Sequence, residues 1–328
     1  MVVVGSRARR TRRTRRVFLA GFATALLGGA MFAASALAVV PAVVTGAASS
    51  VTYDSAVVSA SVNPHSSATV VYFQYGTTDK YGAQSAPTEI AAGAKAVPIS
   101  ITLSGLTAAT VYHYRIVATN ASGTALGADR AVATAKIPLA LAITAAPNPV
   151  AVGGPVTLEG TLSGTGSANA PVVLQEEQFP YTAGFTDVGN PELTLANGSF
   201  VFNELGLAVN TQFRVVAGRV ASTAVVVSVS LGVTLQTRSE GTKTHPAVRF
   251  SGTIAPAEPG SRIAIERLIG TNWKVLGGTV ASSTVVAGVV HFAKTIQLHS
   301  GGFFRALALP VEGAHVAGYS GPMLVRLP

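Results

Sequence analysis

Thr69-Val70-Val71-Tyr72-Phe73-Gln74-Tyr75 sets apolar side chains on alternate positions, and the later run from Val111 to Thr119 does so again. A period of two is the mark of a strand with one face in a core. Two further runs, Ala56 to Val62 and Val97 to Leu106, carry the same alternation. Turn-forming stretches separate them: Asn63-Pro64, Gly76-Thr77-Thr78 and Asn120-Ala121-Ser122-Gly123. Valine and threonine dominate these runs, and branching at Cβ favours the pleated surface of a sheet. The 34 glycines and 17 prolines fall as punctuation along the whole chain. The pattern predicts an all-β protein of short strands packed as sandwiches.

The first module, residues 49–135, resembles a fibronectin type III domain of the kind found in secreted actinobacterial proteins. The resemblance rests on Tyr72-Phe73-Gln74-Tyr75-Gly76-Thr77-Thr78, on Leu103-Ser104-Gly105-Leu106-Thr107 and on Thr110 to Asn120. The tryptophan usual on the second strand is missing, so Tyr72 and Tyr114 are expected to fill that part of the core. The resemblance implies a corner role for Tyr112, its hydroxyl bonding back to the main chain. No Arg-Gly-Asp tripeptide is present; Gly127-Ala128-Asp129-Arg130 is not one.

Two further modules, 136–230 and 231–328, read as diverged copies of each other. Val156 to Leu162 matches Val248 to Ile254, Val172 to Gln175 matches Ile263 to Glu266, and Phe213 to Ala217 matches Phe304 to Ala308. All three pairs are offset by 91 or 92 residues. A constant offset across several strands argues duplication. The pattern resembles bacterial immunoglobulin-like domains. The fold expected is therefore three tandem β-sandwiches, one fibronectin type III and two immunoglobulin-like, behind an N-terminal apolar signal helix.

That leader occupies residues 1–48. Seven arginines lie between Arg7 and Arg16, and an uncharged apolar run follows from Val17 to Val40. A basic, then apolar, then small-residue order is that of an export signal. Thr14-Arg15-Arg16-Val17-Phe18-Leu19-Ala20 resembles the twin-arginine signal, with Arg15, Arg16, Phe18 and Leu19 on its motif positions. Small residues recur as Ala36-Leu37-Ala38 and as Gly46-Ala47-Ala48, and cleavage near either is open. So is retention as an anchor, because Val17 to Val40 has 24 residues and about 20 apolar residues span a bilayer.

Composition narrows function by exclusion. Without the leader, Lys plus Arg falls from 23 to 16 against 14 acidic residues, leaving about +2. The positive field that nucleic-acid binding needs is then absent. The chain has no cysteine, which removes thiol chemistry and disulfide stapling. Glu176, Glu177, Asp187 and Glu192 cluster in sequence without an equivalent in the third module, so they are read as solvated strand residues. The six histidines show no ligand spacing and are read as ordinary surface or strand histidines. Phe185 aligns with Trp273 at an offset of 88 and is read as a core residue of a middle strand. Phe179 and Tyr181, which have no counterpart in the third copy, are the candidate ligand-binding rings.

The reading is an exported, non-catalytic β-sandwich protein of the cell envelope or extracellular space, acting as a spacer or a binding and adhesion module. Its expected partners are the export machinery, through the leader, and cell-wall polysaccharide or another envelope protein. The alternative is a polysaccharide-binding protein or accessory module of a carbohydrate-active system. No cofactor, catalytic residue, metal or nucleic acid is expected.

Overall fold

A computed structural model describes residues 39–327 apart from Leu205 and Lys243. The leader motif at Arg15, Arg16, Phe18 and Leu19 lies outside the described residues. The described residues are all-β, and their strands form three sandwiches in series with one connectivity. In each, an outer sheet of three main strands faces a sheet that runs from an edge, through two central strands, to short closing strands; that edge is one long strand in the second and third sandwiches and two short ones, Ala83–Gln84 and Thr88–Ile90, in the first.

In the first sandwich, Ala42–Thr45, Ser55–Asn63 and Val97–Ser104 form one sheet in that order. Thr69–Gly76 and Val111–Asn120 are the central pair of the other, in antiparallel register with Tyr72 opposite Val117. In the second sandwich, Ala140–Ala146, Val156–Ser163 and Ser199–Glu204 face a sheet of Thr186–Leu193, Pro171–Gln178 and Thr211–Ala217. The third repeats this with Gln236–Gly241, Pro246–Ala255 and Val289–Gln297 against Asn272–Val280, Arg262–Ile269 and Gly302–Leu309. Each module has its own apolar core, as cysteine-free domains of this size require.

Two expectations for the first module need correction. The sandwich does not start at 49. Ala42–Thr45 pairs antiparallel with Ser55–Asn63, setting Val43 opposite Val62. Tyr114 donates its hydroxyl to the Gly46 carbonyl at 2.9 Å, Arg130 Nε donates to the Thr45 carbonyl at 2.8 Å, and Asn120 Nδ2 donates to the Val39 carbonyl at 2.9 Å. The segment 39–48 is therefore part of the fold. The second correction concerns the core: Tyr114 is buried as expected, but its partner is Phe73, at 6.3 Å between ring centroids. Alternation along Thr69, Val71 and Phe73 points those three inward, which turns Tyr72 to the outer face.

Tyr112 behaves as the resemblance implied: its hydroxyl accepts from the Thr107 backbone N–H at 3.0 Å. Tyr112→Phe removes that acceptor and is expected to destabilise the first module by about 1 to 2 kcal/mol, whereas Tyr72→Phe should shift it by no more than about 0.5 kcal/mol. Denaturant titration of the first module's transition checks both.

Candidate functional site

The residues singled out from sequence sit on the sheet built around Pro171–Gln178. Alternation on that strand sends Gln175 and Glu177 to the outer face, while Leu174 and Glu176 face inward. The four acids do not converge. Asp187 accepts from Gln175 Nε2 at 2.7 Å, Glu177 accepts from the Gly184 N–H at 2.9 Å, and Glu192 lies opposite Val172 at the far end of the edge strand. Glu204, on the facing sheet, is held above the ordinary carboxyl range first by burial and then by the nearby Glu176 charge. Among the described residues no group of three metal-capable side chains gathers, and no helix is long and apolar enough to cross a membrane.

A folded-state pKa raised above the unfolded value favours the fold when the group is protonated, and that contribution is lost as pH rises through the folded value. Glu204→Gln is therefore expected to raise the second module's melting temperature at pH 7. The gain should vanish below pH 4, where the native carboxyl is also neutral. Thermal melts of both forms across that range check it.

Phe179 and Tyr181 come together, with ring centroids 5.7 Å apart in an edge-to-face pair. Both are half-buried. Tyr181 takes a left-handed φ of 62° in the turn that follows Gln178, its N–H donating to the Gln178 carbonyl at 2.9 Å. The Phe179 ring lies against the third module: a Cβ on Gly313 would stand 3.1 Å from Phe179 Cε2. This explains why the third copy carries no equivalent pair, since the described chain has this junction once.

The junction around that ring is the most heavily bonded polar cluster between modules. Asn210 uses every group it has. Its N–H donates to the Ala314 carbonyl at 2.7 Å, its Nδ2 donates to the Gly313 carbonyl at 2.8 Å, and its Oδ1 accepts from the Val229 N–H at 2.6 Å. His315 sits beside it, 7 % exposed. Its Nδ1 faces Glu258 Oε1 at 2.5 Å and its Nε2 faces the Ala208 carbonyl at 2.7 Å. The ring is thus held at both nitrogens, by a side chain of its own module and by the main chain of the second. Glu258 is anchored in turn by the Val311 N–H at 3.2 Å. The main chain completes the seam: Val316 donates to Val229 at 2.8 Å and accepts from Leu231 at 3.2 Å. Gly318 is required there, because a Cβ would fall 1.8 Å from the Leu231 carbonyl oxygen. His315 thus departs from the surface or strand reading, and nothing in its spacing could have shown that.

A second feature escaped sequence reading although its signal was present. Tyr114-Arg115, Phe213-Arg214 and Phe304-Arg305 each place an arginine after a buried aromatic. In each module that arginine lies on the outer face, bonded through Nε and stacked on a ring. Arg115 donates to Gln74 and covers Tyr81, 4.7 Å from its centroid. Arg214 donates to Gln175 and covers Phe185 at 4.1 Å. Arg305 donates to Glu266 and covers Trp273 at 4.4 Å. Phe185 and Trp273 are therefore not core residues of a middle strand: they lie at the outer edge of the sheet, shielded by a guanidinium. Bonding at one edge and stacking on one face fixes each guanidinium plane.

No family model matches the sequence, and no curated protein matches it. Solved structures with similar chain traces include the tetra-tandem repeat in the extending region of a large adhesion protein. It is 12 % identical, with a TM-score of 0.30, covering 87 % of this chain and 74 % of that one. Another comprises the FN1-FN3 domains of chicken CNTN1, 11 % identical with a TM-score of 0.26, covering 86 % of this chain and 98 % of that one.

Proposed function

We propose that the chain is an exported, non-catalytic protein of the cell envelope or extracellular space, in which the second and third sandwiches form a stiff spacer that presents binding surfaces. The observation that carries this reading is the junction at Asn210 and His315. A flexible tether needs no buried histidine bonded at both ring nitrogens, and no asparagine bonded to the neighbouring module through both its N–H and its side chain. Here those bonds fix one orientation, and fixed orientation is what a spacer supplies. Three of the four acids of the second module, Glu176, Glu177 and Asp187, engage local donors, which suits a framework better than a reaction centre. Phe179 and Tyr181, offered by the sequence as ligand rings, are proposed instead as the apolar anchor of the same junction. Sugar stacking on Phe179 would need that ring to leave Gly313.

Export through a twin-arginine route, with Arg15, Arg16, Phe18 and Leu19 read by the export machinery, suits sandwiches that fold without disulfides. Of the two small-residue sites, Ala36-Leu37-Ala38 is the one whose use leaves the first strand intact. Cleavage after Ala48 would remove Ala42–Thr45 with its partners. The test is N-terminal sequencing of the protein recovered from medium, wall and membrane fractions. The expected result is a chain outside the cytoplasm beginning at Val39. A chain retained in the cytoplasm with its leader intact would overturn the reading.

A further inference from the structure

The near-neutral balance of the chain behind the leader conceals a strong division. Residues 136–230 carry three Lys and Arg against six acids, whereas residues 231–328 carry nine Lys and Arg against four Glu, a net of +5. Part of that excess is concentrated on one outer face of the third module. Arg238 lies directly opposite Arg249 in the antiparallel register of neighbouring strands. Like charges in that position repel. None of the three ion pairs among the described residues includes either arginine. The acid on the same strand, Glu240, accepts instead from Thr295 Oγ1 at 3.1 Å.

Arg249 also lines a groove of about 560 Å³. The groove has a local cause. The outer strand is interrupted at Thr234 and Leu235, opposite Gly252, where a Cβ would meet the Thr234 carbonyl oxygen at 2.0 Å. Thr234 and Thr253 bridge the break, hydroxyl to hydroxyl at 2.7 Å. Gln236, Ser251, Ser282 and His291 join them in the lining. Phe292, beneath, is only 4 % exposed.

The second module has the same depression at the same place, about 460 Å³ around Gly160 and Thr161. There Thr157 stands where Arg249 does and Glu159 where Ser251 does, both 92 residues earlier. The hollow belongs to the shared fold; the cationic lining belongs to the third module alone.

We propose that this groove binds an acidic glycan, a hydroxyl-rich chain carrying spaced carboxylate or phosphodiester groups. Guanidinium groups take either anion through paired hydrogen bonds. The threonine, serine, glutamine and histidine side chains match hydroxyls, donating and accepting in turn. The groove's one large aromatic, Phe292, is buried and offers no face on which a nucleic-acid base could stack. It lies open on a sheet face, which suits a polymer. The inference rests on the binding role proposed above and gives that role a ligand class. Its failure would be distinguishable, because export and junction stiffness are read by other measurements.

Affinity electrophoresis of the purified full chain tests it, in gels containing polygalacturonate, polyglycerol phosphate, dextran or duplex DNA. Retardation by one or both of the first two polymers, and none by dextran, is the expected result. Whichever polyanion binds identifies carboxylate or phosphodiester as the source. The double variant Arg238→Ala with Arg249→Ala should weaken that binding at least about tenfold, roughly 1.4 kcal/mol. Thr253→Val should weaken it about threefold, while Arg262→Ala, away from the groove, should leave it unchanged. No retardation by either polyanion would overturn the proposal, as would retardation untouched by the double variant. Equal retardation by DNA would also overturn it, since charge alone would then suffice.

Discussion

Replacing Asn210 by Ala is expected to uncouple the second and third modules. The substitution deletes the bonds to the Gly313 carbonyl and the Val229 N–H and leaves both partners in a site where Asn210 itself is 7 % exposed. An unsatisfied buried group costs about 1 to 3 kcal/mol, so the pair should cost about 2 to 6 kcal/mol. Domain stabilities themselves run to only about 5–15 kcal/mol. Scanning calorimetry should therefore show the two modules melting together in the native chain and separately in the variant. His315→Ala should act in the same direction, because it strands Glu258 with one partner removed. A shared transition that survives Asn210→Ala unchanged would show that the seam holds by apolar contact alone.

The second large effect concerns the start of the first sandwich. A chain beginning at Ser49 is expected to carry an unstable first module, while one beginning at Val39 keeps it. The shorter chain loses a strand and the acceptors of Tyr114, Asn120 and Arg130. Each of those three bonds contributes about 0.5 to 1.5 kcal/mol. Losing Ala42–Thr45 also uncovers the apolar side chains beneath Val43, which packs against the first core. Limited proteolysis should cut the shorter chain between Ser49 and Lys136 and spare the longer one. Equal resistance would show that the segment 39–48 is dispensable.

Much of the architecture was legible because period-two alternation survives in nearly every strand. The matched offsets between second and third modules likewise reappear as matched strands: Pro171–Gln178 and Arg262–Ile269 hold the same place in their sheets. Ala42–Thr45 was hidden for a physical reason: Val39 to Val44 continues the apolar run of the leader, and hydropathy does not separate a strand from the tail of a signal. Tyr72 and Phe73 are adjacent aromatics, so composition could not say which faced inward, whereas the alternation through Thr69 and Val71 could. The arginine stacks were readable from three aromatic-arginine pairs, but only the fold shows that one neighbour is buried while the other crosses a ring. The junction was not legible at all. Asn210 and His315 lie 105 positions apart, and polar residues that meet across modules leave no periodic trace.

The central claim is that the second and third sandwiches are one stiff unit, and the absence of cysteine makes it directly measurable. Thr186→Cys and Lys274→Cys place one spin label on an exposed edge position of each module, with no native thiol to compete. Pulsed electron resonance should then report a single narrow distance distribution that broadens on adding Asn210→Ala. A broad or multiple distribution in the otherwise native chain would contradict the account.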